Sequence, residues 1–260
     1  MNKSKYFENE INLIQSEDYR MFVRHYRDSY CPSYFWEIGA SSSGKFHPQF
    51  SQGEGGLVRH TKAVVMFAEE LLRMSSYMYM SEEHKDYVIM ACILHDTCKY
   101  GTKDFNKEYY KDHARNAVSL VNEAWVRYFE TAPSEFFLSA IRCHMGQWSE
   151  REDRPFTNID RCVHMADYMA SRSFIDIPQV REEWEMVRLE KTAPENSEPQ
   201  NYIIEFNKTI VNGQGCEAVY DYEVKHETIK AKNRQEAFKK AENIQIKNYS
   251  DYNIGSIILQ

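Results

Sequence analysis

The chain has 260 residues, 42% of them hydrophobic and 14% aromatic. That is enough apolar material for a packed core and too much for a disordered chain. Its net charge of −7 excludes a broad basic face, so no duplex DNA partner is expected; a small anionic substrate stays open, because a bound metal supplies positive charge that composition does not show.

In chain order, "NEINLIQSEDYRMFVRHYRDSY" (residues 9–30) spaces its apolar and aromatic residues at three- and four-residue steps and reads as helical. "CPSYFWEIGASSSGKFHPQFSQGEGG" (31–56) is rich in Ser and Gly and reads as a long loop, of a length that is often functional. The helical period returns at residues 57–74, 81–96, 112–129, 133–145 and 158–174, with Ser81 and Pro133 as helix starts, and a further helix is expected over 179–191. Residues 1–190 thus form a helical domain and the Pro-containing stretch 191–200 a linker; residues 201–260 form a small α+β appendage of β-β-α-β order, with strands favoured by alternation and β-branched residues. The fold class is mainly α. No apolar run approaches the ~20 residues of a membrane span, and the N-terminus lacks an apolar signal core. The six cysteines include no CxxC pair and read as reduced, structural thiols, which makes a cytoplasmic protein the expectation.

The chemistry concentrates in "ILHDTCKYG", where an apolar helix ends in His95, Asp96 and, three residues on, Lys99. Buried charges cost several kcal/mol unless paired or metal-bound, so these groups need partners. Candidates recur at apolar helix faces: His60 opens the helix after the Gly-rich loop, His113 starts another, His144 ends "SAIRCHM", and Asp167 lies within "HMADYMASR". Each sits on a different predicted helix, and a mixed imidazole and carboxylate set is suited to a transition metal.

The order H…HD…H…H…D, with "GEGGLVRHT", "CILHD" and "ADYMASR", resembles the HD superfamily of metal-dependent phosphohydrolases over residues 44–175. The words are similar to those of YhaM-type exoribonuclease HD domains and of HD hydrolases from phage and mobile elements, although the N-terminal segment lacks the OB-fold of the exoribonuclease branch. The resemblance implies an HD-domain helical bundle with two divalent ions (Mn, Fe, Ni, Co or Zn). His60, His95, Asp96 and Asp167 would hold one, and Asp96, His113 and His144 the other, with Asp96 bridging. It implies a phosphodiesterase or nuclease acting on nucleotides or short oligonucleotides through a two-metal activated water. Asp96 and Lys99 would be the catalytic residues.

Around these ligands, Lys99, Lys45, His47, Arg59 and Arg172 are candidate substrate contacts. The alternatives are a solvated Lys99 at a helix end, packing for Lys45 and His47, and surface ion pairs for the two arginines. Glu54 reads as a turn residue or as an acceptor for a ligand imidazole, and His164, three residues before Asp167, as a core or supporting histidine. The tryptophans and "YMYM" read as core or interface. A nucleotide phosphomonoesterase, a di-iron HD-fold oxygenase and a nucleotide-sensing module without turnover are the alternative functions. The expected partner is a small phosphorylated or nucleotide substrate, with no membrane and with a homo-oligomer open.

Overall fold

In the computed structural model, residues 3–41, 47–180, 183–184, 199–212, 219–232 and 234–259 are described. The chain divides into two units, Met1–Trp184 and Glu185–Gln260.

Local chemistry sets the helix starts of the first unit. After a 3-10 turn at Ser4–Phe7 come α1 (Glu8–Ile11) and α2 (Glu17–Ser29). The helical stretch expected over 9–30 is made of two helices, divided at Asn12–Ser16. Ser16 caps α2 by accepting from the Tyr19 amide, and the amides of Gln15 and Ser16 donate to the carboxylate of Asp86, at 2.7 and 3.0 Å. A side chain 70 residues away thus takes the donors that a continuous helix would have used. Helix α3 (Gly56–Arg73) follows Gly55, whose φ of 66° places it in the left-handed region. Ser81 caps α4 (Glu82–Leu94) through the His84 amide. Then come α5 (His113–Phe129) and α6 (Glu135–Arg142), the latter capped at Ser134 rather than starting at Pro133. Helix α7 (Asn158–Ala170) is closed by a reciprocal capping box between Thr157 and Asp160. Residues 178–180 and 183–184 are helical; the rest of the helix expected over 179–191 lies outside the described residues.

Helix α4 organises this unit. Val88, Met90, Ala91, Cys92, Ile93 and Leu94 are fully buried, so the helix is apolar on every side, as a central helix must be. It packs against α3, α6 and α7, and its C-terminus delivers His95 and Asp96 into the interior. That end is held by Arg27 of α2, which is fully buried. Its guanidinium donates to the Ile93 carbonyl and lies 4.6 and 4.5 Å from the ring centres of Phe7 and Phe35. A cation at a helix C-terminus meets the negative end of the helix dipole. A second buried cation, Lys62 of α3, bonds both oxygens of Glu10, at 2.7 and 2.8 Å, and the Tyr6 carbonyl.

The second unit is a three-stranded antiparallel sheet in the order β2-β1-β3, from β1 (Gln200–Asn212), β2 (Val219–Ala231) and β3 (Asn253–Leu259). Strands β2 and β3 both pair antiparallel with β1, so they run parallel to each other and need a long connection. Helix α8 (Arg234–Asn248) supplies it. Tyr202, Ile204, Phe206 and Ala231 from the sheet form a small core with Ala237 and Ala241 of the helix. The expected fold class, a helical domain with a β-β-α-β appendage, is the observed one.

Candidate metal centre

Three helices and the C-terminal ends of two more deliver the ligand candidates. His60 lies one turn into α3. His95 caps the C-terminus of α4, and Asp96 is the next residue. His113 is the first residue of α5, His144 lies just past α6, and Asp167 is in the last turn of α7. His60, His95, Asp96, His113 and His144 are all at most 1% exposed.

These side chains converge on Asp96. One carboxylate oxygen, Oδ1, lies 3.2 Å from His113 Nε2 and 3.6 Å from His144 Nε2. The other, Oδ2, lies 3.5 Å from His95 Nε2 and 3.8 Å from His60 Nε2. Asp167 Oδ1 completes that side, 3.1 Å from His60 Nε2 and 3.8 Å from His95 Nε2. His60, His95 and Asp167, and likewise His95, Asp96 and His144, are groups that could hold a metal ion.

The donor chemistry fits such ions. Backbone carbonyls only accept, so the Nδ1 atoms they touch carry the protons. His95 Nδ1 donates to Cys92 O at 2.8 Å, His113 Nδ1 to Tyr110 O at 2.6 Å and His144 Nδ1 to Ile141 O at 2.7 Å. In its neutral form each ring then turns an Nε2 lone pair inward, as histidines that bind metal do. His60 Nε2, His95 Nε2 and Asp96 Oδ1 are buried without a hydrogen-bonding partner, although other polar atoms lie within 4 Å; they face a common space rather than one another.

Charge balance points the same way. Burial pushes the Asp96 carboxyl up, but the Lys99 ammonium and the imidazoles of His95, His113 and His144 outweigh it and hold Asp96 well below its usual range. Asp167 is likewise lowered: burial opposes ionisation, and the His60 imidazole 3.1 Å away, together with His95 and His144, overcomes it. For Lys99, burial lowers its affinity for the proton, and Asp96, Tyr110 and Asp167 more than restore it. Two carboxylates, Asp96 buried and Asp167 partly so, face one ammonium, which leaves negative charge for a metal cation to neutralise.

The remaining candidates fall in different places. Lys99 Nζ donates to Asp96 Oδ2 at 2.6 Å and is 5% exposed, so it is a buried member of the cluster and not a solvated lysine. His47 lies with its ring centre 5.5 Å from that of His60, and its Nδ1 is buried without a partner. Burial, with the nearby His60 and Lys99, pushes its pKa down to about 3. The Arg59 guanidinium donates to the carbonyls of Phe50, Gln52 and Glu54; instead of pointing to the ligands next to it in sequence, it pins the loop before α3. Glu54 takes part through its backbone. Arg172 lies over the Tyr168 ring, 4.0 Å from its centre, and donates to the Tyr168 carbonyl. Lys45 lies outside the described residues.

Two further residues belong to the site. Tyr110 stacks on His113, ring centres 5.5 Å apart, and lies beneath the Lys99 ammonium. His164 Nδ1 donates to the His144 carbonyl at 2.8 Å. Tyr110 carries no local sign of this role; the position of His164, three residues before Asp167, does.

Residues 57–172 match the family model of the HD domain. Neither the curated proteins nor the solved structures contain a significant match to the chain. The matched span holds His60, His95, Asp96, His113, His144 and Asp167, the side chains that meet around Asp96; residues 57–172 are an HD domain, the domain of the HD superfamily of metal-dependent phosphohydrolases.

Proposed function

We propose that this centre hydrolyses phosphate esters of nucleotides or short oligonucleotides, with phosphodiesters favoured over monoesters. The observation that carries the reading is the Asp96 carboxylate, whose two oxygens face two separate groups of donors. Under this reading His60, His95, Asp96 and Asp167 would hold one divalent ion, and Asp96, His113 and His144 a second. When bound, such ions supply Lewis-acid activation of water and neutralise charge on the phosphoryl oxygens.

The chain's own residues do the rest. The carbonyls of Cys92, Tyr110 and Ile141 fix the ring orientations of His95, His113 and His144, so no reorganisation is needed when a substrate arrives. Lys99 keeps its ammonium beside Asp96 and offers a fixed positive charge to a phosphoryl group. His47, neutral at physiological pH, borders the His60 side and is positioned to contact a substrate oxygen. Among the described residues no helix is long and apolar enough to cross a membrane. We place the reaction in the cytoplasm, a setting that suits the free thiols of Cys31, Cys92, Cys98, Cys143 and Cys162.

The test is a panel of phosphodiesters and phosphomonoesters incubated with the full chain loaded in turn with Mn, Fe, Co, Ni and Zn. Turnover that disappears in Asp96→Ala is the expected result. A fully metallated protein inert across the panel would sink the reading.

A further inference from the structure

Three of the four tryptophans are buried: Trp36, Trp125 and Trp184 are at most 7% exposed. Trp148 is 56% exposed, so it lies outside the core. It also lies four residues after His144, on the 3-10 turn Gly146–Trp148. Its ring lies nearly parallel to that of Tyr168, at 16° with centres 6.0 Å apart, and Tyr168 directly follows Asp167. The Arg172 guanidinium completes a triangle, 4.0 Å from the Tyr168 ring and 6.0 Å from the Trp148 ring.

The turn bearing Trp148 is pinned on both sides. Upstream, His164 bonds the His144 carbonyl. Downstream, Arg115 of α5 clasps Glu150, Glu152 and Asp153, at 3.2, 3.1 and 2.7 Å. A half-exposed indole on an anchored turn loses little freedom on binding a flat partner. Two π faces with a guanidinium beside them suit a planar heteroaromatic ring, which stacks on either kind of group. The trio is carried by the two chain segments that also carry His144 and Asp167, one from each group of donors.

We propose that Trp148, Tyr168 and Arg172 form a shelf that stacks the base of a nucleotide whose phosphate lies at the metal centre. This rests on the phosphohydrolase reading for the phosphate and adds the recognition of the base. A phosphate ester lacking a planar ring would then bind only through its phosphate.

The probes are adenosine monophosphate and ribose 5-phosphate, which share sugar and phosphate and differ in the base. Binding to the full, manganese-loaded chain is read by titration calorimetry in the wild type and the variants alike, and in the wild type also by tryptophan fluorescence, which for a ligand at the surface reports mainly on Trp148. The nucleotide should bind roughly five- to a hundredfold more tightly, the range that a single base–aromatic stack supplies, and should quench. In Trp148→Ala that ratio should fall to near one, and in Trp148→Phe, which keeps an aromatic face, it should largely persist; a thermal melt checks that both variants fold. Equal affinity for the two probes in the wild type, an unchanged ratio in Trp148→Ala, or no binding of either probe overturns the shelf. So does a change in oligomeric state in Trp148→Ala without a change in ratio, since the indole would then serve a protein contact. The ester panel runs alongside. A Trp148-dependent base preference without turnover keeps the shelf and removes hydrolysis. Turnover with no base preference does the reverse.

Discussion

His113 and His144 meet nitrogen to nitrogen, with their Nε2 atoms 3.0 Å apart. The Nδ1 of each is already committed as a donor to a carbonyl, so two neutral rings would face lone pair to lone pair. A shared cation removes that repulsion, and Asp96 Oδ1, 3.2 and 3.6 Å from the two nitrogens, is the anion that would accompany it. The pair is built for a ligand that carries positive charge.

Metal should therefore stabilise the fold as well as enable chemistry. Protein stripped with EDTA is expected to melt at a lower temperature than the same protein with Mn, Fe, Co, Ni or Zn. At hundred- to thousandfold excess over Kd the stabilisation is about 3–4 kcal/mol. Melting curves that superimpose with and without every one of these ions would remove the metal assignment.

Replacing Asp96 and replacing His113 should have different effects. Asp96 faces both groups of donors, so Asp96→Asn is expected to lose both ions; His113 faces one, so His113→Ala should keep one ion. Elemental analysis of metal per chain separates the two outcomes. Asp96→Asn also leaves the buried Lys99 ammonium without its anion, a loss on the order of 3–5 kcal/mol in stability. Equal metal content in the two variants would refute the bridging role.

Arg27 should matter to stability although it lies outside the centre. It is fully buried and holds the carbonyl of Ile93, two residues before His95. Arg27→Ala opens a cavity and frees that carbonyl, for a loss of about 3–5 kcal/mol in urea unfolding. Arg27→Met refills the volume and should cost less. A loss under about 1 kcal/mol for the alanine variant would show that the end of α4 holds itself.

Gly146 and His164 form an interlock. Gly146 has φ of 58°, and a Cβ there would come within 2.0 Å of the His164 ring. Gly146→Ala should therefore destabilise the protein by about 1–3 kcal/mol and weaken the ion held by His144. Adding His164→Ala removes the ring and should recover part of the stability, so the two changes are not additive. Strict additivity in a double-mutant cycle would mean that the ring yields freely.

Much of this was legible before the structure. Ser81 before an apolar run announced α4, and the polar stretch before residue 200 announced the change from helices to strands. Where local pattern failed, a distant group intervened. The period over 9–30 runs on in sequence, but Asp86 bonds the amides of Gln15 and Ser16 and breaks the helix there. Arg59 is next to a ligand in sequence, but a helix turns about 100° per residue, and its side chain reaches loop carbonyls instead.

By itself the sequence determined the types of the ligand side chains, their order and the helices that carry them, because caps and a 3.6-residue period are local properties. Only the tertiary structure decided that His60 and Asp167 lie 3.1 Å apart, that Lys99 pairs with Asp96 and that Trp148 stays at the surface. Those relations depend on how α3, α4 and α7 pack about a common core, and packing is set by side chains far apart along the chain.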